Sequence, residues 1–145
     1  MTDVQNSLVL TRILQAPRER VWQAWTDPQM LARWWWPERF HTAYEVDLRE
    51  GGRYRFRSAD LPDIGVLCVA GVYLEVRPPE RLAYSWEWEN GDEPSTWVTV
   101  ELVEHSNQTE VRIGHQGFAT GEERDNHVLG WTHCLDRLEP ILGTV

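Results

Sequence analysis

Between Thr42 and Gln116 apolar residues recur at every second position, and one long segment of helical period follows, from about Glu122 to Leu142. A sheet that is dry on one face must bury that face, and this order leaves a single long helix to cover it. Tyr44, Val46 and Leu48 alternate with Glu45 and Asp47. The turn at Glu50-Gly51-Gly52 then leads into Arg53-Tyr54-Arg55-Phe56-Arg57, aromatic on one face and cationic on the other. Val66 to Val76 reads as a longer strand ending at Pro78-Pro79. Leu82, Tyr84, Trp86 and Trp88 share a face opposite Ser85, Glu87 and Glu89, and Asn90-Gly91 signals a turn. Val98, Val100 and Leu102 alternate with Thr99 and Glu101; beyond a turn near Ser106-Asn107, Val111, Ile113 and His115 alternate with Arg112 and Gln116. Six strands therefore form an antiparallel run.

In the closing helix Arg124, His127, Val128, Trp131, Cys134, Leu135, Leu138 and Leu142 fall within about 60° of Trp131, while Asp125, His133, Asp136 and Arg137 lie outside that stripe. Leu129 points away from it and is a candidate homodimer contact. Ahead of the sheet run, Leu8 to Leu14 reads as a strand. Ala16-Pro17 places a proline in the first turn of a helix carrying Val21, Trp22 and Trp25, and Asp27-Pro28 repeats the signal for a short helix through Met30, Leu31 and Trp34.

Nine tryptophans in 145 residues are more than a core of this size needs, and three of them, Trp34-Trp35-Trp36, are consecutive ahead of Pro37. An indole is a large apolar plate with one N–H donor, suited to a mostly apolar site with a few polar contacts. Trp22 and Trp25 are expected in the core, Trp86 and Trp88 on the sheet's dry face and Trp131 at the centre of the closing helix. Trp97 is out of register with its strand's dry face and is expected to be partly exposed.

The charge balance excludes several partners. Acids outnumber bases 23 to 14, all fourteen being arginine, for a formal charge of -9. Nucleic acid, which requires a basic stripe, is not expected. No run approaches the ~18 apolar residues of a membrane span, and the N-terminal MTDVQNSLVLTR lacks a basic region and a long apolar core, so neither membrane insertion nor secretion is expected. Cys68 and Cys134 fit a reducing, cytoplasmic setting as thiols. Histidines 41, 105, 115, 127 and 133 form no i, i+4 pair, His127 and His133 face opposite ways, and the cysteines form no CxxC, so no metal is expected. Neither a nucleophile elbow nor a nucleotide-binding glycine loop is present, and no cofactor is expected.

A strand, two short helices, a six-stranded antiparallel run and a long closing helix are the element order of the α+β helix-grip fold. The strings Ala16-Pro17-Arg18-Glu19-Arg20-Val21-Trp22, Trp34-Trp35 with Pro37, Asp47-Leu48-Arg49-Glu50-Gly51-Gly52 and Gly71-Val72-Tyr73 agree with it. So do Pro78-Pro79-Glu80-Arg81-Leu82, His115-Gln116-Gly117-Phe118 and Gly130-Trp131 with Leu135. On these residues the chain resembles the SRPBCC (START-like) superfamily, in the group similar to the C-terminal domain of the activator of the heat-shock chaperone ATPase. The resemblance implies one domain over residues 1–145, with its core at about 8–142, and a cavity between curved sheet and closing helix. Trp36 stands where that group more often has a small residue, which implies a bulkier loop over a narrower cavity. Only the part similar to the activator's C-terminal domain is recognised, so a complete co-chaperone role is not implied.

The inward aromatic residues at the open end of such a cavity are the candidate ligand-binding set: Trp35, Trp36 and Phe40 from the loop, Tyr54, Phe56, Tyr84, Trp86 and Trp88 from strands, with His115, Arg124, His127 and Trp131. They suit an apolar, flat or polycyclic small molecule with one or two polar ends. Binding without catalysis is the leading expectation. One alternative is a cyclase or dehydratase like those of the superfamily, in which His115, His127 or a Tyr polarises a carbonyl and moves a proton. The other is a protein-interaction module acting on a chaperone or another partner.

Overall fold

The computed structural model describes residues 6–89, 91 and 94–143, so Asn90 of the expected Asn90-Gly91 turn lies outside the described residues. Seven strands form one sheet: β1 (Ser7–Leu14), β2 (Ala43–Val46), β3 (Arg53–Arg57), β4 (Cys68–Arg77), β5 (Arg81–Trp88), β6 (Thr96–His105) and β7 (Gln108–Gln116). Their spatial order is β1-β7-β6-β5-β4-β3-β2, antiparallel throughout. Helices α1 (Arg18–Thr26) and α2 (Pro28–Trp34) carry the chain from the edge at β1 to the opposite edge at β2, and α3 (Gly121–Gly143) covers the inner face. This is the expected helix-grip arrangement, with β1 joining the six-stranded run as a seventh strand. Among the described residues no helix is long and apolar enough to cross a membrane.

The local chemistry of the helix ends follows the sequence, with one shift. Asp27 caps α2 through its carboxylate, which accepts from Gln29 N–H at 2.9 Å, and Pro28 occupies the first helical position. Pro17, expected within the first turn of α1, instead stays extended at ψ 156° and offers its carbonyl to Arg20 and Val21. Thr120 precedes α3 and its hydroxyl accepts from Glu123 N–H at 3.1 Å. A second shift concerns β4, which begins at Cys68 rather than Val66. Ser58 takes both backbone groups of Leu67, its N–H and hydroxyl each at 2.8 Å, and so holds Leu67 in the loop before the strand.

The core gathers the dry faces. Leu14, Val21, Leu31, Trp34, Val69, Ile113 and Leu138 are fully buried, while Val9 and Ile13 on the other face of β1 are exposed. Trp97 and Leu129 are exposed, as their registers predict. The fold buries one histidine deeply. His115, on β7, is 1 % exposed. Its Nδ1 accepts from Trp131 Nε1–H at 3.1 Å, so Nε2 carries the proton and meets Thr96 Oγ1 at 2.7 Å; the Thr96 hydroxyl in turn donates to the Trp86 carbonyl at 3.4 Å. Burial pushes the His115 imidazole down from 6.5 to about 2, with the neighbouring His127 adding to the effect. The unfolded chain therefore binds a proton at His115 that the folded chain does not. Stability from this group is complete above about pH 6.5 and falls as the pH drops toward 2, with a slope of up to about 1.4 kcal/mol per pH unit. Urea midpoints between pH 5 and 6.5, above the main carboxylate range, should decline with acid in the parent and be flatter in His115→Gln. Equal slopes, or a His115 ring titrating near 6.5 in the folded protein, would contradict this.

Candidate functional site

The Trp34-Trp35-Trp36 run sits where α2 ends, and its three side chains go to three places. Trp34 and Trp35 are 0 % and 2 % exposed, and Trp36 is half-buried. Trp34 donates its indole N–H to the Ala24 carbonyl at 2.9 Å, tying α2 to α1, and packs on Trp25 with ring centroids 4.8 Å apart. Trp35 enters the space between sheet and α3, edge-on to Phe56 at 5.3 Å and to Trp131 at 5.3 Å. Trp36 turns outward and stacks on Trp88, rings 9° from parallel and 6.2 Å apart. Its backbone N–H donates to the Tyr44 hydroxyl at 3.3 Å. Pro37 stops the helix, and a single 3-10 turn over Glu38–Phe40 carries Phe40 back under Trp36.

The interior is consequently filled. Trp25, Trp35, Tyr54, Phe56, Tyr73, Leu82 and Tyr84 leave between them about 10 Å³, room for at most one water. The open space lies to one side, a cavity of about 620 Å³. Trp35, Trp36, Pro37 and Phe40 form one wall, and Ile64, Val66, Leu67 and Cys68 before and at the start of β4 form another. Trp86 and Trp88 make its floor from β5. Helix α3 contributes His127, Trp131 and Cys134 from its inner stripe together with Asn126, Gly130, His133 and Arg137. Those last four lie roughly 100–160° round the helix from Trp131, along one flank.

Polar side chains on the cavity are few, and Asn126 is the neutral amide among them. Among the described residues the cavity is bordered by Arg137 and two histidines and by no carboxylate. Arg137 donates from Nε to the Trp34 carbonyl at 2.9 Å and from Nη2 to the Trp35 carbonyl at 2.7 Å, and the Cys134 thiol also donates to Trp35 O at 2.9 Å. These bonds satisfy the C-terminal carbonyls of α2. Glu89, next along β5 from Trp88, turns to Arg55 in a two-point pair at 2.9 and 3.0 Å that holds its carboxyl below the usual range. Two cavity-lining indoles, Trp35 and Trp86, have buried N–H groups with no acceptor. Each such group costs about 1–3 kcal/mol if left unpaired.

Proton transfer finds little to work with. His127 accepts from Trp88 Nε1–H at 3.1 Å and places its Nδ1–H on the Glu123 carbonyl at 2.7 Å, so both ring nitrogens are engaged. His115 lies beyond the cavity wall in the network described above. Tyr54 donates to the Ser85 carbonyl at 2.6 Å, and burial raises its hydroxyl, like those of Tyr73 and Tyr84, well above the ordinary value. Burial also pushes the Cys134 thiol up to about 12, and the Cys68 thiol up, which leaves both as small apolar groups.

Of the twelve residues singled out from the sequence, seven border the cavity: Trp35, Trp36, Phe40, Trp86, Trp88, His127 and Trp131. Tyr54, Phe56 and Tyr84 border only the small interior gap, with Trp35. His115 and Arg124 border neither. Arg124 bonds to its neighbour Asp125 at 3.1 Å. Sequence reasoning missed Asn126, Gly130, His133 and Arg137 because it took the centre of the apolar stripe as the site. His127 and His133, expected to face opposite ways, both border the cavity because it reaches round the flank of α3. The spacing 126, 130, 133, 137 is itself a helical face, and it was the available signal.

The solved structure of protein CV1439 from Chromobacterium violaceum matches with a TM-score of 0.87 at 31% identity, over 97% of this chain and 99% of that one. CalU16 from Micromonospora echinospora matches with a TM-score of 0.73 at 28% identity, over 95% of this chain and 76% of that one. An HSP90 activator from Plasmodium falciparum matches with a TM-score of 0.74 at 24% identity, over 95% and 96%, a likeness of fold. No curated protein matches the chain. The family model described as "Activator of Hsp90 ATPase homolog 1-like protein" matches residues 15–143, nearly the whole chain. With its SRPBCC-type helix-grip fold, this chain belongs to that family.

Proposed function

We propose that the protein is a binding module for a hydrophobic, flat aromatic or polycyclic small molecule, held between the loop of Trp36 and Phe40 and the flank of α3. One observation carries the reading. Although Trp34 and Trp35 are buried inside, a cavity of about 620 Å³ with five tryptophans and one phenylalanine in its wall stays open, within the range of ~300–1,000 Å³ typical of ligand sites. The parallel stack of Trp36 on Trp88 supports a planar ligand, since a flat ring adds to such a pair face-on. Trp36, bulkier than the residue this group more often carries, narrows the site and builds that stack. Free Cys68 and Cys134 fit a cytoplasmic setting.

A catalytic role in the manner of the superfamily's cyclases has less support, because His115, His127, Tyr54 and Tyr84 are already engaged in hydrogen bonds within the fold. Membership of the activator family supports a second reading, contact with a chaperone. Stimulation of a purified chaperone's ATPase by this protein is the outcome that reading expects, and unchanged turnover with no complex would set it aside.

Titration of flat polycyclic compounds should quench tryptophan fluorescence saturably. A compound at about one hundred times its Kd should stabilise the fold by about 2.7 kcal/mol, or roughly 5–10 °C in Tm. No response to a broad panel would contradict the proposal. Replacement Trp88→Ala should weaken the best compound about tenfold by removing one stacking face, with little change in the far-ultraviolet circular dichroism. An unchanged Kd would move the site elsewhere.

A further inference from the structure

The cavity differs in sign from the rest of the molecule. Acids outnumber arginines 23 to 14 over the chain, yet among the described residues no Asp or Glu borders the cavity and Arg137 does. Arg137 takes part in none of the ion pairs among the described residues. Its bonds to the Trp34 and Trp35 carbonyls use Nε and Nη2 and neutralise no charge, and Nη1 makes no hydrogen bond to the described residues. The guanidinium therefore brings an uncompensated positive charge to an aromatic wall.

A second observation is independent of that charge. Trp25, Trp34, Trp88 and Trp131 each place their indole N–H on an acceptor, Tyr84 Oη, Ala24 O, His127 Nε2 and His115 Nδ1 respectively. Trp35 and Trp86 do not, although both are more than nine-tenths buried and both border the cavity. Their rings are neighbours, 6.0 Å apart. An indole N–H only donates, so neither ring offers an acceptor to a cationic ligand, and both nitrogens are themselves covered from the cavity.

We infer that the cavity takes an aromatic carboxylate: a flat apolar body held by the Trp36 and Trp88 side, and an anionic acceptor group matched to Arg137. A carboxylate is acceptor-only and forms its strongest bonds with a guanidinium, whereas an ammonium group would meet donors and a like charge. This rests on the binding function proposed above and names the ligand class for it.

Three probes with the same ring separate the two claims: 2-naphthoate, its methyl ester and 2-naphthylmethylammonium, titrated against the intact protein by calorimetry at pH 7.5. The naphthoate should bind about tenfold more tightly than the ester, and the ammonium compound more weakly than either. Arg137→Gln should bring the naphthoate to the level of the ester. Arg137 also holds the end of α2, so near-ultraviolet circular dichroism checks that variant; if Arg137→Gln loses its fold, the order of the three probes on the parent protein decides. An ester or ammonium compound that binds as tightly as the acid, or an unchanged naphthoate Kd in a folded Arg137→Gln, overturns the inference and leaves the binding function standing. Binding of none of the three, together with no response to the broad panel of flat compounds, overturns the binding function itself.

Discussion

The Arg137 guanidinium on the last carbonyls of α2 fixes how the inside of this molecule is divided. A helix end turned into protein has carbonyls without partners, and these must find donors. Here the donors come from α3, Arg137 at 2.7 and 2.9 Å and the Cys134 thiol at 2.9 Å. The bond sets α2 against the closing helix with Trp34 and Trp35 between helices and sheet. Trp35 enters the space between sheet and α3 and closes it to a gap of about 10 Å³, and the open cavity lies along the flank of α3. Trp36, one residue on, faces that space.

Water exclusion then orders the polar chemistry. With the interior closed, the imidazoles, phenols and indoles there must satisfy one another, and most do, in the chain Trp131–His115–Thr96–Trp86 carbonyl and in the pair Trp88–His127. The same low-dielectric surroundings that hold His115 unprotonated, and raise the tyrosines and Cys134, remove them from acid–base work near neutral pH. Of the histidines at the cavity, His127 has both ring nitrogens in hydrogen bonds, to Trp88 and to the Glu123 carbonyl.

Much of the fold was legible in the residues because period and punctuation agreed. The alternation from Tyr44 to His115, the Asp27-Pro28 cap and the Trp131-centred stripe of α3 each specify one local structure, and the sheet order follows from joining them. The candidate site was less legible. Strand alternation shows that Tyr54, Phe56 and Tyr84 face inward, but not that Trp35 arrives from α2 to fill the space before them. Whether an inward aromatic residue lines a cavity or fills a core depends on volumes contributed by elements distant in sequence. Arg137 escaped notice for a related reason: a charged residue just outside an apolar stripe reads as a solvated one until the α2 carbonyls are placed beside it.

The division of the tryptophans between filled interior and open flank is most directly tested by the indole ¹H–¹⁵N resonances of the protein during titration with a flat aromatic ligand. The account predicts that the signals of Trp35, Trp36, Trp86 and Trp88 move together and saturably while those of Trp25, Trp34 and Trp97 stay in place. Shifts centred on Trp25 and Trp34, or confined to the exposed Trp97, would place the ligand elsewhere and contradict it.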